Sequence, residues 1–298
     1  MSGEKEHAVI QLCIDKLSEI HNSPVHLLGS QPVGGGCINH ASRIKTSIGD
    51  FFLKWNASAP RDMFLKEAAG LAEMQLADNP YLKIPKMVWS KEVDELPGIL
   101  LMEYLPEGGN TSGFDERLGR GLAHLHRKTT SAYGFHHSNY CGSTIQENTW
   151  TSNWPEFYAT QRIAALVKQL VAKRSLTMDE HKTYERLIGK MPGLLTHSTS
   201  PSLIHGDLWS GNYLYTANGP ALIDPACYYA DREMELGMMQ LFGGFPPAVW
   251  KAYQAESPLP KGWEERIPLY QLYHVLNHYL LFGGSYGMQA LRIARQYL

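Results

Sequence analysis

The first third of the chain has the hydrophobic pattern of a small sheet flanked by helices. Residues 5–21 carry apolar side chains at positions that favour one side of a helix. Residues 61–77 repeat this pattern, with Glu67 near the middle. Between and after them lie five short apolar runs rich in β-branched and aromatic residues, at 25–32, 41–46, 51–55, 86–90 and 99–104. We therefore predict a five-stranded first lobe over residues 1–104.

The rest of the chain is mainly helical in pattern. Residues 105–113 contain a Pro, three Gly and an Asn, which favours a linker or hinge. Helices are predicted at 114–129, 153–173, 178–190, 231–241, 246–255, 263–282 and 286–297, with one short β segment at 203–224. The pattern predicts an α+β fold of two lobes, 1–104 and 114–298, with a cleft between them.

Composition narrows the classes of function. The 298 residues are 44% hydrophobic and 19% charged, with a formal net charge of -2. This balance argues against a protein that binds nucleic acid or a membrane surface. The four cysteines are far apart, which disfavours a zinc site or a disulfide scaffold. With no signal-peptide pattern and no long apolar run, we expect a cytoplasmic protein.

Residues 203–226 carry the strongest chemical signal. Two short apolar runs each lead to an aspartate, Asp207 and Asp224, and Asn212 lies between them. Carboxylate and amide oxygens suit Mg²⁺, and a carboxylate can accept the proton of an incoming hydroxyl. Any of the three alone could be an ordinary turn residue, but the ordered set predicts phosphoryl transfer. His205 is expected to support the loop through hydrogen bonds.

The first lobe offers candidates for binding a nucleotide. Gly34, Gly35 and Gly36 lie between two predicted strands, where glycine lets backbone amides approach phosphate oxygens. Lys54 lies on the next strand, and Glu67 on the following helix could pair with it. The alternatives are a plain hairpin turn, an exposed lysine and a solvated carboxylate. Their order along the chain is nevertheless that of a protein-kinase-like fold.

The last strand before the hinge ends in Met102, Glu103 and Tyr104. In a kinase-like chain this position would place backbone groups against the adenine edge, and we assign the three residues to nucleotide binding on position alone. ATP and Mg²⁺ are the implied cofactors.

Longer motifs point to one family. The segment HGDLWSGN, the segment DPACYY that begins at Asp224, and the stretches GGGCIN, LMEYL, LAHLH, GSTIQENTW and YQLYHVLNHYLLFG together resemble the fructosamine kinase (ketosamine-3-kinase) family. Aminoglycoside and choline kinases share the HGD motif, the Asn and the later Asp, but not the Trp-Ser-Gly triplet or DPACYY. The resemblance implies ATP-dependent phosphorylation of the 3-hydroxyl of ketosamines, free or protein-bound, which leads to deglycation.

Carried onto matching positions, the resemblance makes Asp207 the catalytic base and Asn212 and Asp224 the Mg²⁺ ligands. It places Trp209 at the sugar, with a loop-anchoring role as the alternative. Arg232 is assigned to the substrate pocket, although pairing with a neighbouring acid is equally open.

The resemblance also concerns Cys37. A cysteine in this loop is common in the family, which implies a redox-dependent homodimer as the alternative to a monomer; an inert small residue is the other interpretation. The loop tip Gly-Gly-Gly-Cys-Ile-Asn-His departs in detail from other members, so the phosphate contacts could differ.

Two other functions stay open at this point. One is a kinase of the same fold that acts on another acceptor, such as an aminoglycoside, choline or a thiosugar. Sites for polycationic aminoglycosides usually show an acidic cluster, whereas the second lobe is rich in Tyr, Trp and His. The other is a non-catalytic nucleotide-binding protein, which the intact set of Lys54, Asp207, Asn212 and Asp224 disfavours.

Overall fold

The computed structural model describes residues 2–34, 39–109 and 112–298. Five antiparallel strands form one sheet in the order β1-β2-β3-β5-β4. Their bounds are β1 Leu27–Pro32, β2 His40–Thr46, β3 Gly49–Asn56, β4 Met87–Lys91 and β5 Gly98–Glu103. The strand expected from residue 25 begins at Leu27 instead.

One helix covers each face of this sheet. The helix α1, Ser2–His21, packs on the face that carries Leu53, and α2, Met63–Gln75, packs on the face that carries Leu100 and Met102. Because side chains alternate along a strand, Lys54 shares its face with α2 rather than with α1. This alternation is the reason that a lysine on β3 can reach a carboxylate on α2.

The linker after β5 is attached to a small hairpin of β9, Tyr213–Thr216, and β10, Gly219–Leu222. The N–H of Gly108 donates to Tyr215 O at 2.8 Å. A Cβ on Gly108 would lie 2.5 Å from the Thr216 backbone, so only glycine allows this approach. The hinge and lobe boundaries at 105–113 stay a prediction, and residues 110–111 lie outside the described part.

The remaining elements are mostly helices packed around one large apolar core. Their bounds are α3 Phe114–His126, β6 Asn139–Cys141, β7 Thr144–Gln146, α4 Trp154–Phe157, α5 Ala165–Ala172, α6 Met178–Leu194, β8 Ser202–Ile204, β11 Tyr228–Ala230, α7 Glu233–Leu241, α8 Pro247–Glu256, α9 Trp263–Phe282 and α10 Tyr286–Gln296. No helix in the described part of the chain is both long and apolar enough to cross a membrane.

Two predicted helices differ from those observed, and one observed hairpin was not predicted. The helix expected at 153–173 contains a π-helical segment, Tyr158–Ala164, between α4 and α5. The helix expected from 231 begins at Glu233, because the Asp231 carboxylate accepts the N–H of Glu233 at 3.0 Å. The hairpin of β6 and β7 has no counterpart among the predicted elements.

A buried cation holds the segment after this hairpin in place. Arg162, in the π-helical segment, is 0% exposed and donates to Glu147 O at 2.6 Å and to Asn148 Oδ1 at 2.7 Å. Its guanidinium also lies 4.0 Å from the centre of the Tyr228 ring. These contacts fix β6 and β7 against the core, where Cys141 ends β6.

Candidate functional site

The loop that presents Asp207 is held by a buried glutamate. The Glu235 side chain, from α7, accepts the N–H of His205 at 2.5 Å and the N–H of Gly206 at 3.2 Å. Gly206 has φ +83°, and a Cβ there would lie 2.3 Å from Ala226 O. A side chain at this position would therefore displace the loop, which explains the glycine in the HGD motif.

His205 links the two acidic strand ends. Its Nε2 donates to Ile223 O at 2.7 Å, and its Nδ1 accepts the N–H of Asp207 at 3.3 Å. Burial lowers the pKa of His205 and keeps the imidazole neutral, the form that these two bonds require. The expectation that His205 supports the loop is confirmed.

Asn212 is buried and fixed in orientation. Its Nδ2 donates to Asp207 O at 2.8 Å, so its Oδ1 is left for another partner. The backbone carbonyl of Asn212 accepts the N–H of Ile223 at 3.0 Å, which places the amide beside the residue that precedes Asp224.

Lys54 forms the centre of a buried charge cluster. Its Nζ lies 2.9 Å from each carboxylate oxygen of Glu67 and 3.1 Å from Oδ1 of Asp224. Burial favours the neutral amine, but the Asp224 and Glu67 carboxylates outweigh it and raise the pKa of Lys54. Burial raises the pKa of Glu67, while Lys54 opposes this rise. Lys54 therefore stays charged and joins α2 to the strand end of Asp224.

Asp224 has an unusual backbone. Its φ of +56° lies in the left-handed region, which aspartate tolerates better than most residues. Its side chain is 35% exposed, more than those of Lys54 and Glu67. The conformation turns a partly accessible carboxylate toward the lysine.

The Asp207 carboxylate has no hydrogen bond from any described residue, although its backbone is bonded on both sides. Burial raises the pKa of this carboxyl to about 8, with further contributions from the charges of Asp224 and Glu235, and Lys54 opposes the rise. When it is ionised, this carboxylate is a stronger base than an ordinary aspartate. Its oxygens can accept a hydrogen bond from an external donor.

The nucleotide-binding candidates are only partly described. Gly34 is exposed, and a Cβ added to it would have nothing within 4 Å, whereas Gly35, Gly36 and Cys37 lie outside the described residues, and so does the dimer prediction. The N–H groups of Glu103 and Tyr104 already donate to Lys86 O at 2.9 Å and Asp50 O at 3.4 Å. These two amides are therefore not free to donate to an adenine.

Trp209 packs onto its own loop. A Cβ on Gly211 would lie 2.2 Å from the Trp209 ring, so the glycine lets the indole rest on the backbone before Asn212. The ring is half-buried, so part of it is accessible. In sequence, Trp209 lies close to Asp207. The Trp-Ser-Gly triplet is thus a structural unit as well as a sequence motif.

Arg232 donates hydrogen bonds to the loop after α8. Its guanidinium donates to Ser257 O at 2.9 Å, to Pro258 O at 2.5 Å and to the Ser257 hydroxyl. These bonds hold the loop after α8 and favour a structural role over one in the substrate pocket. Their partners are carbonyl and hydroxyl oxygens and not the neighbouring acid that was the expected alternative.

Sequence reasoning missed three residues next to Asp207. Glu235 holds the loop from behind, and Cys141 and His274 have ligand atoms within 4.8 Å of an Asp207 oxygen and of each other. They come from α7, β6 and α9, which are distant in sequence, so no local spacing could have indicated them. The buried imidazole of His274, among the apolar positions of α9, was the available signal.

Comparison with known proteins decides the family. The family model described as fructosamine kinase matches residues 9–298. The chain belongs to the fructosamine kinase family. A protein-ribulosamine 3-kinase of Arabidopsis thaliana, named as chloroplastic, is 38% identical over 285 residues, which are 95% of this chain and 86% of that protein.

Solved structures agree with this assignment. A protein assigned as a fructosamine-3-kinase from Thermobifida fusca is 31% identical, has a TM-score of 0.83, and covers 95% of this chain and 96% of its own. The aminoglycoside phosphotransferase APH(4)-Ia, solved with AMP-PNP and hygromycin B, has a TM-score of 0.62 at 11% identity, covering 95% and 97%. This second likeness concerns the fold alone, and it confirms the predicted protein-kinase-like architecture.

Proposed function

We propose that the chain transfers the γ-phosphoryl group of ATP to the 3-hydroxyl of a ketosamine, a fructosamine or ribulosamine adduct. The observation that carries the proposal is the half-buried carboxylate of Asp207, to which no described residue donates, within a family match that spans residues 9–298. Fructosamine-3-kinase and ribulosamine 3-kinase are the names of its relatives. Phosphorylation at the 3-hydroxyl destabilises the adduct, so the reaction would lead to deglycation.

The nucleotide side of the reaction falls to Lys54. Phosphoryl transfer depends mainly on positioning and on neutralising negative charge. Lys54 is held by Glu67 and Asp224 and remains charged, so it can bind phosphate oxygens without moving far. The aminoglycoside phosphotransferase of the same fold was solved with an ATP analogue, which supports ATP as the donor. Gly34, Gly35 and Gly36 remain candidates for phosphate contacts, and the segment 102–104 for adenine.

Because the Glu103 and Tyr104 amides are occupied, the backbone donor for adenine would come from the next residue. The N–H of Leu105 makes no backbone hydrogen bond within the described part of the chain. We therefore place the adenine contact at the junction of β5 and the linker, one residue later than the sequence suggested.

The residues proposed for Mg²⁺ fit its chemistry. The hydrogen bond from Asn212 Nδ2 to Asp207 O fixes the amide, and Asn212 Oδ1 accepts no hydrogen bond from a described residue. The Asp224 carboxylate is partly accessible. Hard oxygen ligands of this kind are those that Mg²⁺ prefers. When bound, the ion would neutralise charge on the phosphates.

The acceptor side depends on Asp207. The acceptor hydroxyl would lie against its carboxylate, which orients the oxygen and takes its proton as the new P–O bond forms and the bond to the β-phosphate breaks. A base with a raised pKa accepts that proton more readily than an ordinary aspartate. The exposed part of Trp209 would contact the C–H face of the sugar.

An acceptor panel tests this function. ADP release is measured at fixed ATP and Mg²⁺ with fructosyl-lysine, ribulosyl-lysine, hygromycin B and choline, and the product is identified by phosphorus NMR. We expect turnover of a ketosamine in the wild type and a loss of about 10²–10⁴-fold in Asp207→Asn. Asp15→Asn, an exposed change on α1, is the matched control. Turnover of hygromycin B or choline without any ketosamine would refute the proposal.

The location and assembly of the protein stay predictions. A cytoplasmic site is expected from the sequence, whereas the Arabidopsis relative is named as chloroplastic. The redox-dependent dimer depends on Cys37 and is tested by the oligomeric state of the wild type and Cys37→Ser under oxidant.

A further inference from the structure

Asp207 and two side chains of different chemistry lie close together. The Cys141 thiol, an Asp207 oxygen and an imidazole nitrogen of His274 all lie within 4.8 Å of one another. Cys141 is 3% exposed and His274 is 1% exposed. The three residues come from β6, the loop after β8, and α9, so the fold alone brings them together.

This cluster lacks the hydrogen bonds that buried polar groups usually make. His274 Nδ1 is buried and has no partner among the described residues, and no described residue donates to the Asp207 carboxylate. Asn277, one turn further along α9, donates to Cys141 O at 3.2 Å, yet its Oδ1 is also without a partner in the described part of the chain. An unsatisfied buried polar group costs about 1–3 kcal/mol, so such a cluster calls for a ligand.

The groups around the thiol influence its ionisation in both directions. Burial and the Asp207 carboxylate raise the pKa of Cys141 well above its ordinary value, while the Tyr273 hydroxyl, the Arg162 charge and the Asn277 amide act to lower it. Burial lowers the pKa of His274 to about 3 and so keeps its imidazole neutral, which is the form that binds metals. The thiol is therefore protonated when the cluster is empty. The neighbouring donors named above would stabilise a thiolate once the proton has left.

A second cluster differs in that both of its carboxylates are already hydrogen-bonded. His197, Asp231 and Glu233 also lie within 4.8 Å of one another. There, however, Asp231 accepts from the Tyr270 hydroxyl at 2.6 Å and Glu233 is bound by two Arg266 nitrogens at 2.6 and 2.7 Å. Both carboxylates thus have partners within the protein, whereas His197 Nδ1 has none among the described residues. Because the two carboxylates are already engaged, we infer no site from this cluster.

We propose that Cys141, Asp207 and His274 form a binding site for Zn²⁺ that withdraws Asp207 from the reaction when it is filled. A thiolate, an imidazole and a carboxylate with one open position are a ligand set typical of zinc and unsuited to Mg²⁺. Binding replaces the thiol proton and, below about pH 8, the proton of the Asp207 carboxyl as well. Both protons are released to solvent, and no electron transfer is involved.

The required movement is small. Tetrahedral zinc with ligand bonds of about 2.0–2.3 Å needs ligand atoms roughly 3.3–3.8 Å apart. Closing the present cluster therefore takes about 1 Å. The half-buried Asp207 side chain is free to rotate toward the other two ligands, and small shifts of the buried Cys141 and His274 side chains would supply the rest. The bound carboxylate could then no longer accept a proton.

The effect on turnover rests on the proposed function, since it assumes that Asp207 is the base. Zinc should then reduce the rate by competing with the acceptor and not with ATP, because Lys54, Glu67 and Asp224 take no part in the site. Metal binding itself does not depend on the identity of the acceptor.

Cobalt is the spectroscopic probe for the site. The full chain, reduced and free of substrates, is titrated with Co²⁺, which gives a thiolate-to-metal charge-transfer band when a cysteine is a ligand. We expect one equivalent to produce this band in the wild type and in Cys37→Ser, and Zn²⁺ to displace it. Cys141→Ser should lose the band, and His274→Gln should weaken Co²⁺ binding by more than about tenfold. Thermal unfolding checks that each variant is folded.

Inhibition is measured separately, as the Zn²⁺ concentration that halves each variant's own zinc-free rate. We expect this concentration to rise more than about tenfold in Cys141→Ser. A wild type without the cobalt band, a band that survives in Cys141→Ser, or unchanged zinc inhibition in that variant would overturn the proposal. If Cys141→Ser does not fold, Cys141→Ala and His274→Gln decide in the same way. A failed acceptor panel would leave the cobalt result standing, so the two proposals can fail independently.

Discussion

Replacing Asp207 by asparagine should abolish most activity and at the same time stabilise the fold. Burial and the charges of Asp224 and Glu235 raise the pKa of Asp207 from 3.8 to about 8. Between these values the native protein holds a proton that the unfolded chain has lost, so wild-type stability falls as pH rises. An asparagine side chain would carry no such proton, and the variant should keep the stability that the wild type loses.

The difference can be worked out from the shift. One pH unit corresponds to about 1.4 kcal/mol, so the advantage of Asp207→Asn should be absent below about pH 4, reach roughly 4 kcal/mol at pH 7, and level off near pH 8. Water that enters the site would reduce this figure, which is an upper limit. Even half of it corresponds to several degrees in Tm for a chain of this size.

The assay is urea or thermal unfolding of both proteins from pH 4 to pH 9, without nucleotide or metal. Asp15→Asn, which removes an exposed carboxylate, should show no comparable trend. Wild-type turnover at saturating ATP and Mg²⁺ should rise with pH toward about 8, because the ionised carboxylate is the active form. A stability difference that does not change between pH 5 and pH 8, or a variant less stable than the wild type at pH 8, would refute the reasoning.

Three further changes test other parts of the site. Glu67→Gln should raise KM for ATP more than it changes KM for the acceptor, since Lys54 would keep only one of its two carboxylate partners; initial-rate kinetics in both substrates measure this. Gly206→Ala should cost more than about 2 kcal/mol in urea unfolding, because φ is +83° and a Cβ would clash, whereas Gly189→Ala on the open face of α6 should gain up to about 1 kcal/mol. Tyr229→Phe removes a 2.7 Å hydrogen bond to α2 and should cost about 1 kcal/mol with a small rise in KM for ATP; an unchanged Tm and KM would contradict the role of that bond.

The order of motifs along the chain predicted that Lys54 and Glu67 would pair. Lys54 and Glu67 meet because side chains alternate between the two faces of a strand, and Lys54 lies on the face of β3 that α2 covers. The conformation of the loop that carries Asp207 and Asn212 depends in part on residues of the loop itself, namely its glycine and the Asn212 amide. Their catalytic roles remain proposals.

Features that depend on distant segments could not be predicted. The hairpin of β6 and β7 has three residues in each strand, too few for a period of two to be visible. The π-helical segment adds a residue to a turn without changing which residue types are used. Cys141 and His274 approach Asp207 only because this hairpin and α9 pack on the same core, and the wide spacing of the cysteines suggested the opposite of a metal cluster.

The two motifs that most resemble the family serve different sides of the cleft. DPACYY begins at Asp224 and packs against α2: Cys227 Sγ lies 3.5 Å from Gly70 O, and the Tyr229 hydroxyl donates to Glu73. It therefore fixes the distance between Glu67 and Asp224, both of which hold Lys54. The Trp209-Ser210-Gly211 triplet instead shapes the surface beside Asp207. Discrimination among acceptors should accordingly depend on the triplet, while DPACYY affects them all alike through the nucleotide.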